Sequence, residues 1–158
     1  MAGLYIHIPF CRKACNYCNF HFSTTQHQLE PMLEAIEKEM VLQKNYLSET
    51  IDTVYFGGGT PSILTNEQLT RLFTSLRTQF TISPTAEITL EANPDDIHSN
   101  KLLAWKLMGI NRLSIGIQSF DETDLAWMNR AHTAAQANNC IQEATAVGFE
   151  NITIDLIY

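Results

Sequence analysis

The sequence predicts an α/β protein: an incomplete (β/α) part-barrel of parallel strands with helices outside. Two observations carry this expectation. Strand-like and helix-like segments alternate along the 158 residues with short connections, and that order gives parallel strands joined by crossover helices. The strands are also two-faced. Ile88 and Leu90 alternate with Glu87, Thr89 and Glu91; Leu113, Ile115 and Ile117 with Ser114, Gly116 and Gln118; Ile152, Ile154 and Leu156 with Asn151, Thr153 and Asp155. Parallel strands covered on both sides usually read as near-continuous apolar runs. Here one face suits a layer of helices. The other is polar or small, which suits a curved sheet whose inside holds a polar ligand.

Each element has its own signal. Residues 3–8 read as a first strand, followed by a cysteine-bearing loop. Leu29, Met32, Leu33, Ile36, Met40 and Leu47 fall at helical spacing and predict a helix near 28–46. Residues 51–56 are a second strand, ended by Gly57-Gly58-Gly59-Thr60-Pro61. Thr65 with Gln68 makes a capping box for a helix to about residue 79. Residues 86–91 are a third strand, broken by Asn93-Pro94. A helix from Ser99 to about Met108 ends at Gly109, a C-terminal signal. Residues 112–118 are a fourth strand, two helices follow near 121–129 and 133–147, and a fifth strand begins at 151. The run Ile154–Tyr158 reads as a strand in progress. The chain is therefore expected to be the N-terminal portion of something longer, a single domain over 1–158 truncated at its C-terminal end.

Composition narrows the function. Hydrophobic residues make up 45%, enough for an ordinary core, and the net charge is −7. No basic stripe offers itself to nucleic acid, and no apolar run approaches the ~20 residues of a membrane span. A secretory leader is not evident, so the expected compartment is the reducing cytoplasm. Clustered cysteines there more often mean metal or catalysis than disulfides.

Cys11, Cys15 and Cys18 are spaced x3 and x2 on the loop after the first strand, with no fourth cysteine close by. Electron-transfer clusters usually take four cysteines. Three on one loop fit a [4Fe–4S] cluster whose fourth iron stays open to bind something else. A structural zinc, with His21 or His7 as fourth ligand, is the alternative. Cys140 shares a helix face with Ala137, Ala144 and Val147 and reads as a buried small hydrophobe. The glycine run is neither a dinucleotide fingerprint nor a P-loop. Three successive glycines cost backbone entropy, and close approach of a ligand to bare backbone is the expected reason. The cysteine loop, the glycine run, Glu91, Gln118 and Asp155 all fall at strand C-terminal ends, where ligands sit in parallel α/β folds.

Together these motifs resemble the radical S-adenosylmethionine (SAM) superfamily. Its CxxxCxxC signature is Cys11, Cys15 and Cys18, with Tyr17 as the aromatic before the last cysteine. The order Tyr5-Ile-His7-Ile-Pro9-Phe10-Cys11, Gly57 to Pro61, Glu91-Ala-Asn93-Pro94, Ser114 to Phe120 and Asn129-Arg130-Ala-His132 is similar to the oxygen-independent coproporphyrinogen III oxidase group over nearly the whole chain. The resemblance implies SAM chelated at the open iron and cleaved by an electron from the cluster, which makes an electron-donor protein a partner. It implies a SAM pocket of Tyr5, Tyr17, Gly58, Gly59, Thr60, Glu91, Gln118, Arg130 and Asp155, with His7 as a catalytic candidate. Arg130 could fork onto a carboxylate. The oxidases usually carry a fourth cysteine two residues after the third. Phe20 stands there, which argues against oxidase activity and resembles the HemW-type heme chaperones. Heme or a porphyrinogen, and a heme-acceptor protein, are then the implied partners of the full-length parent. The remaining alternatives are a genuine oxidase and a non-catalytic zinc or cluster module.

Overall fold

The computed structural model describes residues 2–158. Five strands form one sheet in the order β1-β2-β3-β4-β5, with every neighbouring pair parallel. They are β1 (Ala2–Ile8), β2 (Ile51–Gly58), β3 (Ile82–Ala92), β4 (Arg112–Gln118) and β5 (Asn151–Leu156). The helices are α1 (Leu29–Gln43), α2 (Asn66–Gln79), α3 (Ser99–Met108), α4 (Glu122–Trp127) and α5 (Ala134–Ala146). Among the described residues no helix is long and apolar enough to cross a membrane.

Local chemistry fixes most of these boundaries. Thr65 closes the expected capping box with Gln68, and Thr133 builds a second one with Gln136 at the start of α5. The Asp121 carboxylate caps α4 through the Thr123 and Asp124 N–H groups. Gly109 ends α3 at φ 98°, a left-handed position that suits glycine.

Three boundaries differ from expectation. Helix α1 stops at Gln43, and Leu47 packs on the core from the loop beyond it. Strand β2 runs on through Gly57 and Gly58. Strand β3 begins at Ile82, four residues early. Ile51 pairs with Ile82, but Thr53 already pairs with Glu87, so Ser83-Pro84-Thr85 bulges out of the ladder. Pro84 has no N–H to donate, and its presence hides the strand's start from a reading of the sequence.

The helix-covered face buries Ile88, Leu90, Leu113, Ile115 and Ile117, with Trp105, Phe56, Phe73 and Phe149 as the bulky core side chains. The inner face is less open than the alternation implied: Thr89 and Ser114 are buried on it. At the β5 edge, Ile152 and Ile154 are only half-buried and Leu156 is exposed. A flat sheet would hold β1 and β5 about 19 Å apart, at ~4.8 Å per strand. Yet Tyr5 of β1 and Asp155 of β5 border one cleft. The sheet therefore curls, as a part-barrel must.

Candidate functional site

The cysteine loop is tied down at both ends. The Cys11 N–H donates to Ser23 O (3.0 Å) and Ser23 N–H to Pro9 O (2.9 Å), which closes the loop at its base. The Cys18 N–H donates to Cys15 O (3.1 Å), which makes a tight turn between the later two cysteines. Three neighbours hold the loop from outside. From the glycine turn, Gly59 N–H donates to Ile8 O (2.9 Å) and Thr60 N–H to Phe10 O (2.8 Å). At the end of α4, Asn16 N–H donates to Met128 O (3.0 Å), and the Asn129 amide donates to Ala14 O (2.8 Å). Arg12 reaches the turn after β3, where it donates to Asp95 (2.8 Å) and pairs with buried Asp96.

A cleft of about 620 Å³ opens above this rim, a size ordinary for a small-molecule site. Strand β1 contributes Tyr5 and His7 to it, and the loop Cys11, Cys15, Tyr17 and Cys18. The end of β2 and its turn contribute Gly58, Gly59 and Thr60. Glu91 comes from β3, Gln118 from β4, Arg130 from the turn between α4 and α5, and Asp155 from β5. The residues singled out from the sequence thus share one cavity, although they are scattered from position 5 to 155. His21 is exposed and does not border the cleft. Cys140 is buried in α5, where burial pushes its thiol up to about 11.

The donor set fits an iron–sulfur cluster. The thiols of Cys11, Cys15 and Cys18, all from one loop, border one space. A cubane takes one thiolate at each of several irons and needs its ligands spread around it, whereas zinc draws four ligands to one point. Burial raises the Cys11 thiol, opposed by a hydrogen bond from Thr60.

The glycines are demanded first by packing. A Cβ on Gly59 would stand 2.7 Å from Phe10 O and 3.0 Å from Cys11 Sγ. One on Gly58, whose φ is +116°, would strike the His7 ring at 2.7 Å. The expected reason, approach of a ligand, is therefore not the nearest one: these glycines let the cysteine loop and β1 lie against the turn.

The polar groups already hold one another. Glu91 accepts from the Tyr55 hydroxyl (2.8 Å) and the Gly58 N–H (3.1 Å). Burial raises its carboxyl despite those two bonds, and pushes the Tyr55 hydroxyl up to about 12. The Tyr5 hydroxyl meets His7 Nδ1 at 3.1 Å. Arg130 spends its Nη hydrogens on Tyr17 Oη (3.2 Å), Cys15 Sγ (3.4 Å), Asn93 Oδ1 (2.8 Å) and Gly116 O (2.5 Å). Only its buried Nε–H lacks a partner. Burial pushes the Tyr17 hydroxyl up to about 12, against the pull of that guanidinium.

Sequence reasoning missed Asn93, Asp96 and Tyr55 as site builders, and Ser62, whose hydroxyl donates to Asp96 at 2.7 Å. Asn93 stood inside a quoted motif, which was a usable signal. The pairings of the others span 30 residues or more and leave no local trace.

Residues 5–158 match the Radical SAM superfamily. The chain is 38% identical over 164 residues to the heme chaperone HemW of Bacillus subtilis, covering all of this chain and 42% of that protein. It is 34% identical to the oxygen-independent coproporphyrinogen III oxidase of Synechocystis, over 99% of this chain and 34% of the other. Among solved structures, coproporphyrinogen III oxidase (HemN) from Escherichia coli, a radical SAM enzyme, superposes with a TM-score of 0.92 at 34% identity. That match covers 99% of this chain and 37% of the other. The hydrogenase maturase HydG, at 11% identity and a TM-score of 0.70, shares the fold. The chain spans 42% or less of the length of these named heme-related proteins.

Proposed function

This chain belongs to the radical SAM superfamily, and we propose that it is the cluster- and SAM-binding core of a HemW-type heme chaperone. In this reading Cys11, Cys15 and Cys18 hold a [4Fe–4S] cluster. One SAM lies in the cleft among Tyr5, Tyr17, Gly58, Gly59, Thr60, Glu91, Gln118, Arg130 and Asp155. The bound cluster supplies an open iron and one electron. The chain's own groups do the rest. Glu91 and Asp155 are acceptors for ribose hydroxyls or an amine. Arg130 sets its guanidinium charge beside the cleft, with its Nη hydrogens already bonded within the protein. The Tyr17 ring is an apolar border for a base. An electron-donor protein, heme and a heme-acceptor protein are the partners that follow, in a reducing cytoplasm that keeps the thiols available.

The observation that carries the reading is the gathering of three loop thiols with these polar groups around one cleft. For the chaperone assignment it is Phe20, which borders the cleft and is 79% exposed. An apolar ring supplies no thiol beside the cluster. The second reading, a coproporphyrinogen III oxidase, is favoured by the close superposition on the E. coli enzyme.

The deciding experiment uses the full-length protein, reconstituted and reduced anaerobically, with SAM and coproporphyrinogen III. The chaperone reading expects heme binding and no protoporphyrinogen. Turnover on the order of 1 s⁻¹, or a hundredth of that, would restore the oxidase.

A further inference from the structure

Two of the three cluster thiols receive a side-chain hydrogen bond, and one amide orients both donors. The Thr60 hydroxyl lies 3.4 Å from Cys11 Sγ. Thr60 is buried, and its Oγ1 accepts from the Asn93 amide at 3.5 Å. With that oxygen already accepting, its own proton is turned toward the sulfur. On the other side Asn93 Oδ1 accepts from Arg130 Nη2 at 2.8 Å, and Arg130 Nη1 reaches Cys15 Sγ at 3.4 Å. The result is a continuous arch: Cys11, Thr60, Asn93, Arg130, Cys15. Among the described residues no side chain donates to Cys18 Sγ.

We propose that Asn93 is a positioning residue that aims Thr60 at Cys11 and Arg130 at Cys15, and so raises the reduction potential of the cluster these cysteines hold. The inference rests on the cluster reading above. One-electron reduction adds negative charge that spreads onto the thiolates. Hydrogen bonds to those sulfurs stabilise the reduced form, which is one of the protein's levers on such potentials. A bond from guanidinium, being charge-assisted, counts for more than one from a hydroxyl. The arch also makes the cluster's surroundings unequal, with two bonded thiolates and one bare.

The test is a midpoint potential, read by EPR during an anaerobic dithionite titration, together with iron content. Thr60→Val keeps the shape and removes the Cys11 bond. Asn93→Ala leaves both donors unaimed. Both variants are expected to retain wild-type iron and to be harder to reduce. The shift expected is about tenfold in the reduction equilibrium, or 59 mV for one electron. Thr60→Ser should restore the wild-type value. The two effects should be less than additive in the double variant, because they share the Thr60 bond. If the cluster assembles but both variants reduce within two-fold of wild type, the arch is only structural and the inference falls. If wild type itself assembles no cluster, the cluster reading falls first and takes this inference with it.

Discussion

His132 lies buried behind the site, with its Nε2 3.0 Å from the Ile117 carbonyl. That geometry asks for a proton on Nε2, which donates to the carbonyl. Burial, then the nearby Arg130 charge, lowers its pKa to about 4. The unfolded chain protonates this histidine near 6.5 and the folded one does not, so the unfolded state binds more protons in between. Stability is expected to be full above pH 6.5 and to fall by roughly 2–3 kcal/mol on acidification toward pH 4. Urea midpoints measured across that range should show this slope in the wild type and a flatter one in His132→Gln; equal slopes would remove His132 from the account. Gly59 makes a different point at the same scale. Its lack of a Cβ serves the Phe10 backbone and the Cys11 sulfur, so the glycine run is first a packing device and only then a place for a ligand.

The cysteine loop, as an element, has no regular secondary structure and owes its shape to its neighbours. The turn after β3 is one of them. Buried Asp96 accepts from Ser62 Oγ at 2.7 Å, pairs with Arg12 and has Lys101 Nζ at 3.5 Å. Burial raises its carboxyl despite those cations. Arg12→Ala removes one partner from a carboxylate that keeps two others, and Arg12 itself is partly exposed. The expected cost is about 1–2 kcal/mol. Asp96→Ala takes the shared acid from Lys101 and Arg12, leaving Arg12 only Asp95, and should cost about 3 kcal/mol or more. Chemical denaturation decides between them; equal costs would deny Asp96 its place at the centre. Elements with local signals were legible in advance. Thr65 and Gln68 mark the start of α2 from four residues, and Gly109 marks the end of α3 from one. The early start of β3 was not, because Pro84 reads as a breaker while Ile82 pairs across to Ile51. The Arg12–Asp96 and Arg130–Asn93 pairs were equally hidden, since 84 and 37 residues separate the partners.

At the scale of the molecule, a parallel sheet curls until its two edge strands share one cleft, and every C-terminal strand end delivers a side chain or a turn to that rim. The cysteines, the glycine turn, Glu91, Gln118 and Asp155 were placed there by strand order alone, which is why so much of the site was visible in the sequence. How the side chains interlock was not visible: the Nη hydrogens of Arg130 proved to be already in use. The central claim is that three loop thiols hold one open-cornered cluster. Iron and sulfide counted per chain after anaerobic reconstitution test it most directly, in wild type and in single alanine variants of all four cysteines. The account predicts about four irons per chain in wild type and in Cys140→Ala, with loss of the cluster in Cys11→Ala, Cys15→Ala and Cys18→Ala. A single tightly held zinc in wild type, or a cluster that survives Cys15→Ala and disappears with Cys140→Ala, would contradict it.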